Sequence, residues 1–166
     1  IGTAYVNLKI SDWLDATYRL GVDNYTTQFS SLTSPGSSVK VAWQNGMLSE
    51  TNRYYNYINS NFMLNFHKTF SDWDINAIAG VTTEDSYVKS NSARAENFSI
   101  PQFISINNAA KENQYFSQAI TRKRLAGFYG DVRVGYKNML FLSATGRNDI
   151  SSTLPVKNQS FFYPSV

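Results

Sequence analysis

The chain has 166 residues, a formal net charge of +3 and no cysteine, which excludes disulfides, thiolate metal sites and a cysteine nucleophile. Eleven Tyr, eleven Phe and three Trp occur in a chain whose mean hydropathy is −0.34. Aromatics set among abundant Asn, Ser and Thr suit strands with one apolar and one wetted face, a mixture that a soluble sandwich shares with a membrane barrel. No stretch approaches the ~20 apolar residues of a membrane helix, and Ile1-Gly2-Thr3-Ala4-Tyr5 does not have the pattern of a secretory leader.

Six runs alternate with a period of two, the signature of half-buried strands. The first, Ala4 to Ile10, is short. In the second, Leu14, Ala16, Tyr18, Leu20 and Val22 oppose Asp15, Thr17, Arg19, Gly21 and Asp23. The third sets Ile58, Phe62, Leu64 and Phe66 against Asn59, Asn61, Asn65 and His67. The fourth sets Trp73, Ile75, Ala77, Ala79 and Val81 against Asp74, Asn76, Gly80 and Thr82. The fifth sets Ala126, Phe128, Val132, Val134 and Tyr136 against Tyr129, Asp131, Arg133 and Gly135. The sixth sets Leu140, Leu142 and Ala144 against Ser143, Thr145 and Arg147. Met63, Ile78 and Phe141 break the sorting. The apolar faces of runs two to six carry no charge, as a lipid-facing or a core-facing surface would require.

The connections separate those two cases. Ser11-Asp12-Trp13, Ser71-Asp72 and Lys137-Asn138 are short, whereas Ser30 to Arg53, Tyr87 to Ile120 and Asn148 to Ser160 are long. Short turns at one end and long loops at the other characterise an outer-membrane barrel; compact soluble domains seldom carry such loops on one side only. Trp13, Trp73 and Tyr136 flank the short turns, where amphipathic rings would form a membrane-border girdle. Within the longest loop, Ile100 to Ile106 alternates briefly and Asn108 to Gln118 suggests a helical turn. The fold class expected is therefore all-β: an antiparallel up-and-down transmembrane β-barrel segment of about six to seven strands. Six or seven such strands leave open edges and an exposed apolar face, so residues 1–166 are expected to be part of a larger closed barrel.

Catalytic constellations are missing, and the chain reads as a non-enzyme without a cofactor. His67 stands alone on a polar face with no paired-histidine spacing, so a water-facing wall residue outweighs a ligand or general base. Asp15 with Asp23, and Asp72 with Asp74, read better as wet-face or turn residues than as an acid/base pair. Gly127, Gly130 and Gly135 do not match a phosphate-binding loop and fit a wall closely approached from one side. Asn97-Phe98-Ser99 matches a glycosylation sequon too short to weigh. The lumen-facing candidates are Asp15, Arg19, Asp23, His67, Asp131, Arg133 and Arg147, a mixed-sign lining that does not filter ions of one charge. Trp43, Tyr54, Tyr55 and Phe116 are loop aromatics suited to stacking on sugar or peptide groups, or to packing the loops on one another. Arg122-Lys123-Arg124 reads either as a contact for phosphate, on nucleic acid or lipid headgroups, or as a solvated strand end; charge runs are usually solvent-facing, which favours the second.

A-T-G-R-N-D-I-S-S-T-L-P from Ala144 to Pro155, followed by F-F-Y-P-S-V from Phe161 to Val166, resembles the barrel segment of SusC/RagA-type TonB-dependent outer-membrane transporters. D-W-L-D-A-T-Y-R-L-G-V-D-N-Y from Asp12, N-F-M-L-N-F-H-K-T-F from Asn61 and I-P-Q-F-I-S-I-N-N from Ile100 agree, in the same order. The resemblance implies a plugged barrel in the bacterial outer membrane that imports oligosaccharides or peptides. Its implied partners are a SusD-like lipoprotein lid, TonB through a plug region, the remainder of the barrel, and lipid and lipopolysaccharide, with no nucleic acid. It carries over no catalytic residue; Arg147 and Asp149 are expected to brace a strand-to-loop exit by a charge-assisted bond. A soluble glycan-binding sandwich and a passive porin are the alternative readings.

Overall fold

The computed structural model describes residues 1–166 as seven antiparallel strands in one open sheet, ordered β1 to β7 as in the sequence. They are β1 (Gly2–Ser11), β2 (Leu14–Thr33), β3 (Met47–Phe70), β4 (Trp73–Glu96), β5 (Gln114–Tyr136), β6 (Leu140–Ser151) and β7 (Ser160–Ser165). All seven strands lie in this one sheet, so the arrangement is not a sandwich. No helix is long and apolar enough to cross a membrane.

The short connections fall where the sequence places them. Ser71 and Asp72 join β3 to β4, and Lys137 to Met139 join β5 to β6. Ser71, Lys137 and Asn138 take left-handed backbone angles, with φ of 52°, 51° and 54°; such a φ is unusual outside glycine and is best tolerated by Asn. A register shift between Lys9 and Ser11 marks the β1–β2 hairpin, whose turn ends at Trp13.

The long connections are shorter than expected. β2 runs on to Thr33 and β3 already begins at Met47; β4 continues to Glu96 and β5 starts at Gln114. Tyr54, Tyr55 and Phe116 are therefore strand residues, not loop residues, and only Trp43 lies in a loop, within a 3-10 turn at Val41–Trp43. Alternation fades in these extensions because polar side chains such as Thr26, Thr27, Gln28 and Ser30 occupy both faces. Antiparallel pairing needs backbone hydrogen bonds, not an apolar face, so the strands continue. Ile100 to Ile106 forms no strand; of the helical turn expected over Asn108 to Gln118, Lys111–Asn113 is a 3-10 turn and Gln114 onward belongs to β5, while a second 3-10 turn lies earlier, at Ile106–Asn108.

The chain divides into two compact units. The first comprises Ile1–Asp23, Asn56–Ser86 and Arg122–Val166. The second comprises Asn24–Tyr55 and Tyr87–Thr121, and has a small core of its own. Leu48, Ala95, Phe98 and Ala109 are buried there, with Ile106 packed against them. Phe98 lies over Gly46, whose φ of 100° excludes most side chains and whose missing Cβ leaves room for the ring, with Phe98 Cδ2 only 2.6 Å from where a Cβ would stand. Asn108, 6% exposed, ties the loop together. Its amide nitrogen donates to the Ile100 carbonyl at 2.7 Å and to that of Phe103, and its side-chain oxygen accepts from the Ile100 N–H at 3.0 Å.

Candidate functional site: the polar face of the first unit

Glycine contacts fix which residues share a face. A Cβ on Gly80 would fall on the ring and hydroxyl of Tyr129, and that hydroxyl accepts from the Asn61 amide at 3.2 Å. A Cβ on Gly127 would meet Asp149 Oδ1 at 2.6 Å and Arg147 Nη2 and Thr82 Cγ2 at 3.0 Å. A Cβ on Gly21 would lie 4.0 Å from that of Asn59. Asn59, Asn61, Gly80, Thr82, Gly127, Tyr129, Arg147 and Asp149 therefore share one side of the sheet. Strand alternation puts Leu20, Leu64, Val81 and Val132 on the other.

Asp15, Arg19, Asp23, His67, Asp131, Arg133 and Arg147 fall on the polar side by the same alternation. Of these, Asp131, Arg133 and Arg147 form close ion pairs within the wall. Arg133 Nε lies 3.0 Å from Asp131 Oδ1, and Arg147 Nε lies 2.8 and 3.0 Å from the two Asp149 oxygens. His67 Nδ1 is 3.9 Å from Asp15 Oδ2, too far for a hydrogen bond. Arg19 stands opposite Tyr5 in the β1–β2 ladder. Asp23 keeps Oδ1 shielded from solvent with no hydrogen-bond partner. Three hollows open on this side. One, of about 420 Å³, is lined by Asn65, His67, Asn76, Ile78, Asp131 and Arg133 among others; a second, of about 280 Å³, by Asp74, Asn76, Arg133, Gly135, Phe141 and Ser143 among others; the smallest, of about 80 Å³, lies over Gly127 between Thr82, Arg147 and Asp149. Charges of both signs, some of them paired, around open hollows make a polar surface with local acceptors and donors but no concentrated field.

Arg147 and Asp149 pair as expected, but within β6, which continues to Ser151, so they stiffen a strand rather than a loop exit. The neighbouring motif residues join β6 to β7. Phe162 covers Gly146 at 3.2 Å from the position of an absent Cβ, and Ser160 Oγ donates to Asn148 Oδ1 at 2.9 Å. Phe141, out of place by alternation, covers Gly135 on the polar side at 3.2 Å. A ring laid over a strand glycine replaces the packing its missing side chain would have supplied.

The border aromatics cluster at the short turns. Trp13 meets Phe66 edge-on at 5.5 Å, and Trp73 packs on Tyr136 at 4.6 Å. Lys68 and Lys137 lie over the rings of Trp13 and Tyr136 at 5.6 and 5.3 Å. Half-exposed rings with cations at their faces suit an apolar–polar boundary. In the second unit, Tyr25 stacks on Tyr55 at 4.8 Å, Tyr54 accepts from the Asn24 amide at 2.6 Å and meets Tyr87 edge-on at 6.3 Å. Phe116 is 69% exposed and Lys40 lies over the Trp43 ring at 4.7 Å. Trp43, Tyr54, Tyr55 and Phe116 therefore do not converge on one ring-stacking platform; only Tyr55 is stacked, and its partner is Tyr25.

The basic run is also differently placed than expected. Arg122, Lys123 and Arg124 lie inside β5 rather than at a strand end. Arg122 and Arg124 both reach Asp85 of β4, Arg122 through two nitrogens and Arg124 through Nε at 3.3 Å. The Arg122 hydrogen bond, reinforced by the charges of both guanidiniums, holds the Asp85 carboxyl below the ordinary carboxylate range despite opposing desolvation. Sequence reading missed this triad because Asp85 is remote in sequence. It also missed Tyr129 on Gly80, for which the glycine inside an otherwise regular strand was the available signal.

Comparison with solved structures gives the same architecture. The chain matches part of a chain of the RagAB peptide transporter with a TM-score of 0.86 and 15% identity, covering 98% of this chain and 18% of that one. It matches the RagAB peptide importer in its closed-closed state at a TM-score of 0.79 and 15% identity, and in its open-open state at 0.78 and 16%, with the same coverage. No protein-family model and no curated protein matches the chain. At these identities the likeness establishes the fold alone, an all-β antiparallel sheet like the matched part of the RagAB chain, as the sequence analysis led us to expect.

Proposed function

We propose that residues 1–166 are part of the transmembrane barrel of a TonB-dependent transporter of the SusC/RagA type in the bacterial outer membrane, importing peptides or oligosaccharides. The likeness to RagAB across 98% of the chain carries this reading. The separation of faces supports it independently. The side bearing Leu20, Leu64, Val81 and Val132 meets lipid and lipopolysaccharide, and the side bearing Asp15, Arg19, Asp23, His67, Asp131, Arg133 and Arg147 lines the lumen. Trp13, Trp73 and Tyr136 mark the periplasmic border, and Tyr25 and Tyr55 are the aromatic pair best placed to meet cargo. The partners are the remainder of the barrel, a SusD-like lipoprotein lid, and TonB acting through a plug. The segment contributes wall and outer loops, not catalysis.

The test is uptake by cells carrying the full-length protein. Labelled peptides and labelled oligosaccharides of matched size are supplied with TonB present and depleted. The reading expects accumulation of one class that collapses without TonB. Uptake indifferent to TonB would replace the transporter with a passive porin.

A further inference from the structure

We propose that the outward face of β4 and β5 holds a site for a phosphorylated, acylated glycolipid of the lipid A type, with Arg122 and Arg124 taking a phosphate and the groove beside them an acyl chain. This rests on the outer-membrane reading above and adds a defined ligand to a face otherwise expected only to be greasy.

Three observations carry it. Arg122 and Arg124 belong to the same alternating set on β5 as Ala126, Phe128 and Val132, and Asp85 to the same set on β4 as Val81 and Thr83. The cluster therefore lies on the apolar side of the sheet. Two guanidiniums converge on one carboxylate, and both arginines remain about half exposed, at 50% and 58% of their side chains. Guanidinium forks suit phosphate oxygens, and basic clusters beside membrane-embedded surfaces hold lipid headgroups.

The second observation is the groove itself. An open hollow of about 480 Å³ runs alongside Asp85 and Arg124; Ile58, Ala126 and Ile150 give it an apolar part, and Glu84, Ser152 and Gln159 a polar one. Ala126 pairs with Ile150 across the β5–β6 ladder, so a short side chain stands beside a long one and leaves a channel between ridges. All of the strands involved, β3 to β6, have neighbours on both sides in the sheet. Strands added at either edge of the sheet leave this hollow open to the lipid side.

The third is height. Asp85 stands twelve residues along β4 from Trp73, and Arg124 twelve residues along β5 from Tyr136. At about 3.3 Å per residue and a tilt of about 40°, that is roughly 30 Å from the turn border. An outer-membrane apolar band is about 25 Å tall. The guanidiniums therefore reach the headgroup level of the outer leaflet, and Thr83, Ala126 and Ile150 of the groove, ten residues from their turns, stand roughly 25 Å up, at the top of the apolar band.

The experiment uses the full-length protein purified from outer membranes into nanodiscs, probed with bisphosphorylated lipid A, dephosphorylated lipid A and inorganic phosphate. Wild type is expected to retain the bisphosphorylated form selectively, and inorganic phosphate at matched concentration is expected not to displace it. The double variant Arg122→Gln/Arg124→Gln should weaken retention by about tenfold or more. Lys123→Gln removes the same charge from the opposite face of β5 and should leave retention unchanged. Ala126→Trp fills the groove and should lower retention with both arginines intact. Equal retention of the two lipid A forms, equal loss in Lys123→Gln, or displacement by inorganic phosphate alone would each overturn the site. A protein that integrates into the bilayer and fails these tests defeats the site alone; one that does not integrate defeats the barrel reading beneath it.

Discussion

Asn108→Ala is the sharpest perturbation of the long β4–β5 loop. The side chain spans eight residues back to Ile100 and five back to Phe103, satisfying one backbone N–H and two carbonyls. A hydrogen bond of this kind contributes about 0.5–1.5 kcal/mol net, and more is lost where the orphaned partner stays buried. Ile100 and Phe103 are 59% and 54% exposed, so water recovers part of each lost bond. The cost should then be about 2 kcal/mol rather than the full sum of three. Because the Asn108 carbonyl also accepts from the Ser99 N–H at 2.8 Å, loosening spreads to the start of the loop. Two kcal/mol corresponds to roughly thirtyfold more frequent local opening. Amide hydrogen exchange of the full-length protein in detergent should show about that loss of protection in peptides covering 97–113 and little change in the hairpin at Ser71. Asn107→Ala, one residue earlier and exposed, is the control and should be close to silent. Exchange in Asn108→Ala indistinguishable from that control would refute the claim that this side chain orders the loop.

Adjacent residues of β6 test the two faces. Ala144→Arg should cost roughly 2–4 kcal/mol on a lipid-facing wall, whereas Thr145→Arg, opposite Asp131 in the ladder, should be nearly neutral; refolding into vesicles read by heat-modified mobility separates them. Gly80→Ala should displace the Tyr129 ring and its bond to Asn61, costing about 1 kcal/mol. The same change in a Tyr129→Ala background should cost close to nothing, which a double-mutant cycle measures. Ser71→Gly relieves a left-handed φ and should raise stability by up to about 1 kcal/mol, seen as a higher thermal midpoint.

Legibility in the sequence followed the physics of each region. Between Trp73 and Val81, or Ala126 and Tyr136, one face of the strand is mostly apolar and the other mostly polar. Every second residue is constrained there, and the strand can be read. Beyond Val22 on β2 and before Ile58 on β3, both faces carry polar groups. Pairing persists through the backbone, but no side-chain period records it, and Tyr54 and Tyr55 therefore looked like loop residues. The loop core was hidden for another reason. Gly46, Leu48, Ala95, Phe98 and Ala109 meet only after the chain has doubled back, and nothing local in Asn97-Phe98-Ser99 distinguishes a buried anchor from a sequon. The motif at Gly146 to Asp149 was recognisable, but its physical basis was not: it depends on Phe162 and Ser160 of the next strand.

The order of the sheet has a consequence for how such walls change over time. Each strand pairs only with those next to it in the chain. Deleting β3 and β4 together would remove two staves and leave a β2–β5 junction of the same handedness and direction as the β2–β3 junction it replaces. A meander of this kind can be lengthened or shortened by whole hairpins without rewiring what remains. In the proposed barrel, circumference is thus a quantity that duplication and loss can adjust in steps of two, while the surviving turns and face assignments are inherited intact.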